Sequence, residues 1–260
     1  MNIGIIGIGN MGSIIVNRLL ETGFPQKNLF ITDTHAENLS ILPNSQHASL
    51  SEIAHQCGII ILAVKPQDFQ NLARELAHTV AHDTWIVSIM AGIDSGKIRD
   101  VLGVTHIVRC MPNLPSRIGK GITVWTSQQS SLPDEITLFF SSLGDDMRVE
   151  NDDLVDRATA LSGSGPGYVY YLEEQFIAAG ERLGFTKDQA QRLVQATFCG
   201  ALSLQEEEHV SPQELRTRVT SKGGTTSAAI EVFDNHAVSS IIQQAVQRAY
   251  ERAQEMKQLL

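Results

Sequence analysis

Two adjacent glycines and a cluster of hydroxyl side chains interrupt an otherwise helical pattern in the second half of the chain. The segment, residues 212–226, reads PQELRTRVTSKGGTT. A glycine within a helix costs about 1 kcal/mol, so a break of two glycines indicates a compensating use. Glycine lets a ligand approach the backbone, and the following helix directs free N–H groups at an anion. The segment therefore predicts a carboxylate-binding site formed by Ser221, Gly224, Thr225 and Thr226.

A glycine-rich turn near the amino terminus predicts a second binding site. The apolar run at residues 2–8 leads into Gly7-x-Gly9-x-x-Gly12, and apolar residues at helical spacing follow. A second apolar run, residues 28–32, is followed by Asp33, an acid about 20 residues beyond the last glycine. Strand, glycine turn, helix and strand in this order are typical of a dinucleotide-binding unit, in which the helix start holds the pyrophosphate. The alternative is a turn that serves packing alone.

The acid after the second strand bears on the choice between NADH and NADPH. A carboxylate at this position accepts a hydrogen bond from the ribose 2′-hydroxyl and repels a 2′-phosphate. No arginine lies next to Asp33, and the nearest cations in the sequence are Arg18 and Lys27. Asp33 therefore favours NADH.

Further apolar runs predict the rest of a sheet. They lie at residues 59–64, 85–90, 105–109, 121–126 and 147–150. Unbroken apolar runs are typical of parallel strands buried on both faces, and the carboxyl ends of such strands form a ligand-binding edge. Lys65 follows one run and either lies near phosphate or the nicotinamide amide, or is a solvated loop lysine. Asn113, held between two prolines, either orients a ligand or caps a turn.

The second half of the chain reads as helices. Strand patterns stop near Asn151, and the last helix is predicted over residues 238–259. The predicted fold is α/β and then all-α: a Rossmann-type doubly wound sheet in residues 1–155 and a helical domain in residues 156–260. The helical half is small for an independent core and has many small residues on its apolar stripes, so we expect it to pack against a second subunit.

Composition narrows the classes of partner. The 260 residues are 42% hydrophobic and 19% charged with a net charge of −9, which disfavours nucleic acid and acidic membranes. Three widely spaced cysteines suit a reducing cytoplasm. The amino terminus lacks a basic leader, and no apolar run reaches the length of a membrane span. His78 and His82 lack a third ligand, so no metal site is predicted.

Five segments together resemble the pyrroline-5-carboxylate reductase family. They are GIIGIGNMG at residues 4–12, AVKPQ at 63–67, MPNLPS at 111–116, ALSGSGPGYVY at 160–170, and the stretch at 212–234. The last is the most specific, because its core is a serine or threonine pair, a glycine pair and threonines before a helix. The glycine fingerprint alone does not distinguish families.

The resemblance implies a Rossmann domain and a helical dimerisation domain, with dimers often assembled into rings such as a pentamer of dimers. It implies reduction of the imine pyrroline-5-carboxylate to proline, with NADPH in most members and NADH as the alternative cofactor. Thr226 matches the threonine near the ring nitrogen and is the implied catalytic residue, while Ser221 and Thr225 match substrate-binding positions. The cofactor residues taken from the pattern and the resemblance are Ile6, Gly7, Gly9, Asn10, Met11, Asp33, Thr34, Ala63, Val64, Lys65, Pro66, Ala91, Gly92 and Asn113.

Four positions depart from the family pattern. Leu114 replaces a usual threonine, Gly167 a usual alanine and Lys222 the proline of SPGG, and Lys120 stands where glutamate is frequent. These changes leave open a cyclic-imine reductase paralogue with an altered substrate range.

Two rival functions remain open beside the reductase. A β-hydroxyacid-type dehydrogenase needs a catalytic lysine on the first long helix of the second half, which here reads GPGYVYYLEEQF. A non-catalytic dinucleotide-binding sensor has no use for the hydroxyl-rich segment. The two binding segments together therefore favour the reductase.

Overall fold

The chain forms two compact units. The structure, a computed structural model, describes residues 1–258 apart from the side chain of Ser45. Among the described residues, the first unit comprises residues 1–166 and 249–258, and the second comprises residues 167–248. Leu259 and Leu260, at the end of the predicted last helix and helical domain, lie outside the described residues. None of the helices within residues 1–258 is long and apolar enough to cross a bilayer.

A single seven-stranded sheet organises the described part of the first unit, in the order β2-β1-β3-β4-β5-β6-β7. The strands are β1 (Ile3–Ile6), β2 (Leu29–Thr32), β3 (Ile59–Leu62), β4 (Trp85–Ser88), β5 (His106–Met111), β6 (Gly121–Ser127) and β7 (Gly144–Arg148). The first five are parallel, β6 is antiparallel to β5, and β7 is parallel to β6. Every predicted strand is present, although β7 begins three residues before the predicted start.

Helices cover both faces of this sheet. They are α1 (Asn10–Glu21), α2 (Leu50–Gln56), α3 (Phe69–Leu76), α4 (Ser95–Leu102) and α5 (Asp134–Leu143). On one face Ile15 of α1 and Phe139 of α5 belong to the same buried cluster as Ile5 of β1. On the other face Phe69 of α3 packs in a cluster with Ile60 of β3. Burying such side chains contributes about 1.5–3 kcal/mol each to the free energy of unfolding. The arrangement of helices on both faces of the sheet confirms the predicted doubly wound Rossmann-type fold.

The remaining described helices follow the sheet in the sequence. They are α6 (Asp152–Ala158), α7 (Gly165–Arg182), α8 (Lys187–Glu208), α9 (Pro212–Arg218), α10 (Thr225–Asn235) and α11 (Val238–Gln258). A π-helical turn, Thr159–Gly163, separates α6 from α7. This helical half confirms the predicted all-α class for the second part of the chain.

The helical unit, residues 167–248, has almost no core of its own. The structure describes all of these residues, and Ala190 is the one buried among them. Ala190 of α8 fits against Gly180 of α7, where an added Cβ would lie 2.9 Å from the alanine methyl group. On α7 the apolar side chains of Val169, Leu172 and Phe176 are exposed. The apolar faces of these helices are therefore largely exposed.

A group of charges around the buried Arg109 joins four elements of the first unit. Arg109 of β5 is fully buried, donates to the carbonyl oxygen of Asp152 at 2.9 Å, and forms an ion pair with Asp156 of α6. Lys257, near the end of α11, lies 3.3 Å from Asp156 and 3.4 Å from Asp94, the N-cap of α4. A buried guanidinium is costly unless it is paired, so this ionic cluster constrains how α6 and the end of α11 pack on the sheet.

Candidate active site

The strand order creates a crevice between β1 and β3. From β1 the chain crosses to β2 on one side, whereas β3 and the following strands extend the sheet on the other side. In open α/β sheets, ligands bind at the carboxyl ends of the strands at such a switch point. The glycine turn, residues 7–12, follows β1, and residues 63–66 follow β3. The glycine turn and residues 63–66, which the sequence predicts to bind the cofactor, therefore flank the crevice.

The three glycines of the glycine turn meet different requirements. Gly7 has a φ of +94°, and a Cβ there would lie 2.8 Å from the carbonyl of Ala63 and from the nitrogen of Val64. A Cβ on Gly12 would overlap the carbonyl oxygen of Gly7. Gly9, the N-cap of α1, has nothing within 4 Å of its Cβ position, and no side chain caps the helix. This open, uncapped helix start fits the pyrophosphate of a dinucleotide.

Asp33 lies directly after β2 but is already engaged by the protein. Its Oδ2 accepts the N–H of Ile8 at 2.5 Å, and its Oδ1 accepts the N–H of His35 at 2.7 Å. Burial alone would raise the pKa of Asp33, but hydrogen bonds from the backbone of His35 and Ile8 and from the side chain of Asn38 lower the pKa below its usual value. The side chain is only 8% exposed. Asp33 therefore holds the glycine turn, a use that the sequence pattern did not reveal.

The other predicted cofactor residues lie along the same edge of the sheet. They are Ile6 at the end of β1, Asn10 and Met11 at the start of α1, Thr34 after β2, Ala63, Val64, Lys65 and Pro66 after β3, and Ala91 and Gly92 after β4. Lys65 is exposed and has no partner among the described residues. Its ammonium group is thus available to a ligand at this edge.

Asn113 has a structural use in the loop between β5 and β6. Its side-chain oxygen accepts the N–H of Ile122 at 3.0 Å, and its amide nitrogen donates to the carbonyl of Ser162 at 3.2 Å. The sequence leaves open whether Asn113 orients a ligand or caps a turn. These bonds favour the structural role, because they fix the loop that contains Asn113. They also tie the loop to the π-helical turn before α7.

The predicted substrate residues lie at the start of α10 in the second unit. The N–H of Gly224 donates to the carbonyl of Ser221 at 3.0 Å, and Gly223 has a φ of +73°. A Cβ on Gly224 would overlap the Ser221 hydroxyl, so only glycine allows that hydroxyl to sit beside the helix start. No side chain caps α10, and the hydroxyls of Thr225 and Thr226 have no partner among the described residues. The hydroxyl turn, residues 221–226, thus combines unpaired hydroxyls with the positive end of a helix dipole.

The geometry of this turn explains how a lysine can occupy position 222. A bond from Gly224 to Ser221 with a positive φ at Gly223 is the pattern of a type II turn, in which Lys222 is the second residue. Proline is common at that position because its fixed φ suits the turn. Lys222 is exposed, so lysine meets the backbone requirement while adding a charge next to the hydroxyl turn.

A glycine turn at the switch point of a doubly wound sheet defines the class of this protein as Rossmann-type dinucleotide-binding. Residues 2–92 match the family described as NADP oxidoreductase, coenzyme F420-dependent, and residues 152–256 match pyrroline-5-carboxylate reductase dimerisation. The chain belongs to the pyrroline-5-carboxylate reductase family, which confirms the resemblance seen in the sequence.

Individual relatives agree over nearly the whole chain. The pyrroline-5-carboxylate reductase of Pseudomonas aeruginosa is 32% identical over 99% of this chain and 97% of its own length. The structure of the Coxiella burnetii enzyme superimposes with a TM-score of 0.89 at 30% identity, covering 98% of this chain and 97% of that one. The Plasmodium falciparum enzyme, solved with NADP bound, has a TM-score of 0.87 at 26% identity, covering 99% and 98%.

Proposed function

We propose that the protein is a pyrroline-5-carboxylate reductase. NADPH or NADH, bound at the carboxyl edge of the sheet, supplies a hydride to the carbon of the C=N bond of 1-pyrroline-5-carboxylate, and the product is L-proline. The observation that carries this proposal is the hydroxyl turn, because an uncapped helix start with unpaired hydroxyls suits a small carboxylate. Family membership over 99% of the chain supports the same reaction.

The residues of the hydroxyl turn divide the work of holding the substrate. The Ser221 hydroxyl and the backbone N–H groups of Thr225 and Thr226 bind the substrate carboxylate, and Gly224 leaves room for it. The Thr226 hydroxyl positions the ring nitrogen. A protonated imine is already electrophilic, so these groups need only bind and orient it, and orientation supplies most of the rate gain. The turn itself contains no strong acid, which agrees with this mechanism.

The cofactor is held by residues of the proposed domain 1–155. The open N-terminus of α1 receives the pyrophosphate, and Thr34 lies at the adenosine ribose. Residues 63–66, with Ala91 and Gly92, line the nicotinamide side. The proposed substrate domain, residues 156–260, contributes the hydroxyl turn.

The test is cofactor oxidation with 1-pyrroline-5-carboxylate in the presence of NADPH or NADH. We expect turnover with at least one of them, and no turnover with either would overturn the proposed function. Thr226→Ala should lower turnover about 10- to 100-fold, because the ring nitrogen loses its positioning group. Thr226→Ser should restore most of the rate.

A matched control separates the role of Thr226 from a general effect of losing a threonine. Thr217 is an exposed residue of α9 whose hydroxyl donates to the carbonyl of Gln213. Thr217→Ala should leave turnover unchanged. Equal rates for Thr226→Ala and the unaltered enzyme would remove Thr226 from the mechanism without removing the reductase function.

The proposed assembly is a homodimer built through the helical unit, with a pentamer of dimers as a larger form. The exposed apolar helix faces support self-association. The proposed location is the cytoplasm, which the state of the cysteines supports: Cys57, Cys110 and Cys199 are free. Burial raises the pKa of the Cys57 thiol to about 12, so this group is a poor nucleophile.

A further inference from the structure

The residues after β2 lie where the adenosine ribose of a bound dinucleotide is read. The N–H of Gly7 donates to the carbonyl of Thr32 at 2.9 Å, so the end of β2 lies directly beside the glycine turn. In Rossmann-type folds, side chains at this position contact the ribose 2′-hydroxyl or the 2′-phosphate. The side chains just after Thr32 therefore determine the preference between NADH and NADPH.

Asp33 is poorly placed to discriminate between NADH and NADPH. Each carboxylate oxygen already accepts a backbone N–H, from Ile8 and from His35, and the side chain is almost entirely covered. The negative charge is thus balanced locally by donors of the protein. Removing the carboxylate would free the N–H of Ile8 inside the glycine turn, which both cofactors use.

His35 and Thr34 present the exposed polar groups at this position. The His35 side chain is 69% exposed, and its Nδ1 lies 3.3 Å from Asp33 Oδ1 and 3.2 Å from Thr34 Oγ1. These contacts orient the ring, while Nε2 has no partner among the described residues. A histidine ring beside a hydroxyl offers a phosphate two hydrogen-bond donors.

Arg18 and Lys27, the cations nearest to Asp33 in the sequence, lie away from the carboxyl end of β2. Arg18 donates through Nε to the carbonyl of Ser142 at 2.7 Å and pairs with Glu21. Lys27 precedes β2, so it lies at the amino end of the strand, whereas Thr34 and His35 follow its carboxyl end. His35 therefore presents an exposed basic side chain just after β2.

From these contacts we infer that Thr34 and His35 bind the 2′-phosphate of NADPH, and that Asp33 is a positioning residue for the glycine turn rather than a discriminator. The inference rests on the proposed function only in requiring a nicotinamide dinucleotide as cofactor. It reverses the preference for NADH that Asp33 suggests in the sequence.

The test measures dissociation constants by titration calorimetry on the full chain, without the imine. The ligands are NADPH, NADH, and the fragments 2′,5′-ADP and 5′-AMP. His35→Ala should weaken NADPH and 2′,5′-ADP about tenfold, the loss of one charge-assisted hydrogen bond, and leave NADH and 5′-AMP within about twofold. His55→Gln, at an exposed histidine of α2, is the control and should change none of the four.

Variants of Asp33 distinguish positioning from discrimination. Asp33→Ala should weaken NADPH and NADH by similar factors, and Asp33→Asn, which keeps one acceptor, should recover part of the loss for both. Tighter NADPH binding together with weaker NADH binding would overturn the assignment of Asp33. Equal losses for the two cofactors in His35→Ala, or no loss, would overturn the assignment of His35.

The proposed reaction and this inference fail independently. A chain that binds NADPH selectively through His35 but does not reduce the imine would contradict the reductase and leave the 2′-phosphate site intact. A reductase whose His35→Ala variant binds both cofactors as before would contradict only the inference.

Discussion

At the residue scale, Lys222 shows how a residue other than proline can occupy the second position of a type II turn. The type II turn of residues 221–224 needs a φ near that of proline at its second position and a glycine-like φ at its third. Gly223 meets the second requirement with a φ of +73°. Lysine meets the first only by losing conformational freedom when the chain folds.

Lys222→Pro is therefore expected to stabilise the protein. Proline restricts the unfolded chain at a site whose folded conformation it fits, which is worth about 0.4–1 kcal/mol. Lys222→Ala removes the same charge without restricting φ and is the matched control. Urea unfolding of both variants checks the prediction, and a proline variant no more stable than the alanine variant would contradict the turn assignment.

The sequence predicts those candidate site residues whose geometric requirement is local. Gly7, Gly9 and Gly12 follow a fixed spacing because a turn, a helix start and a close packing contact occur within six consecutive residues. The partners of Asp33 were not predictable in this way. The carboxylate accepts the N–H of Ile8, which is 25 residues away in the sequence, and only the pairing of β1 with β2 brings the two together.

At the scale of elements, the sequence predicted the strands well because their apolar runs are continuous. β7 was placed less accurately, since its first residues are Gly144, Asp145 and Asp146 and have no strand pattern. They form a strand because they pair in parallel with residues 121–123 of β6. Local sequence pattern does not predict a strand that forms by pairing with its neighbour rather than through the properties of its own side chains.

The ionic cluster around Arg109 also depends on elements distant in sequence. It joins β5, α6, the N-cap of α4 and the end of α11. Burial alone would lower the pKa of Lys257, but Asp156 and Asp94 raise it above its usual value. Burial alone would raise the pKa of Asp94, but the backbone N–H of Lys97 and the charge of Lys257 lower it. Both shifts mean that folding favours the charged forms.

Lys257→Met is expected to destabilise the first unit at neutral pH by about 1–2 kcal/mol, because Asp94 and Asp156 lose a charged donor. A raised pKa of Lys257 gives stability that is present below about pH 10.4 and lost as the pH rises through the folded value. A lowered pKa of Asp94 gives stability that is present above about pH 3.9 and lost as the pH falls through the folded value. The difference between variant and unaltered protein should therefore be constant near neutrality and shrink at both extremes.

A second pair on the same helix is the control for this prediction. Arg252 and Glu255 are both exposed and lie three residues apart on α11. Exposed pairs contribute about 0–1 kcal/mol, so Arg252→Met should have a small effect that salt removes. Chemical unfolding from acid to alkaline pH checks both variants, and equal losses for Lys257→Met and Arg252→Met would contradict a special role for the cluster.

At the scale of the whole molecule, the helical unit poses a problem of stability. Residues 167–248 contain one buried side chain, whereas the first unit has two extensive buried clusters. Exposed apolar side chains occur on every long helix of the unit, including Phe176, Leu193, Phe233, Ile241 and Ile242. Soluble monomers rarely expose so large an apolar surface, so a second copy of the chain is expected to cover it.

The expected consequence is that purified protein sediments with at least twice the mass of one chain. Ile241→Lys combined with Ile242→Lys should shift it towards a single chain, because a two-fold interface buries each residue twice and loses about 6 kcal/mol or more. Gln243→Lys combined with Gln244→Lys adds the same charge at polar positions of α11 and should have a smaller effect. Sedimentation equilibrium at micromolar concentration measures all three proteins. A single-chain mass for the unaltered protein, or the same mass for both double variants, would show that this face of α11 is not the interface.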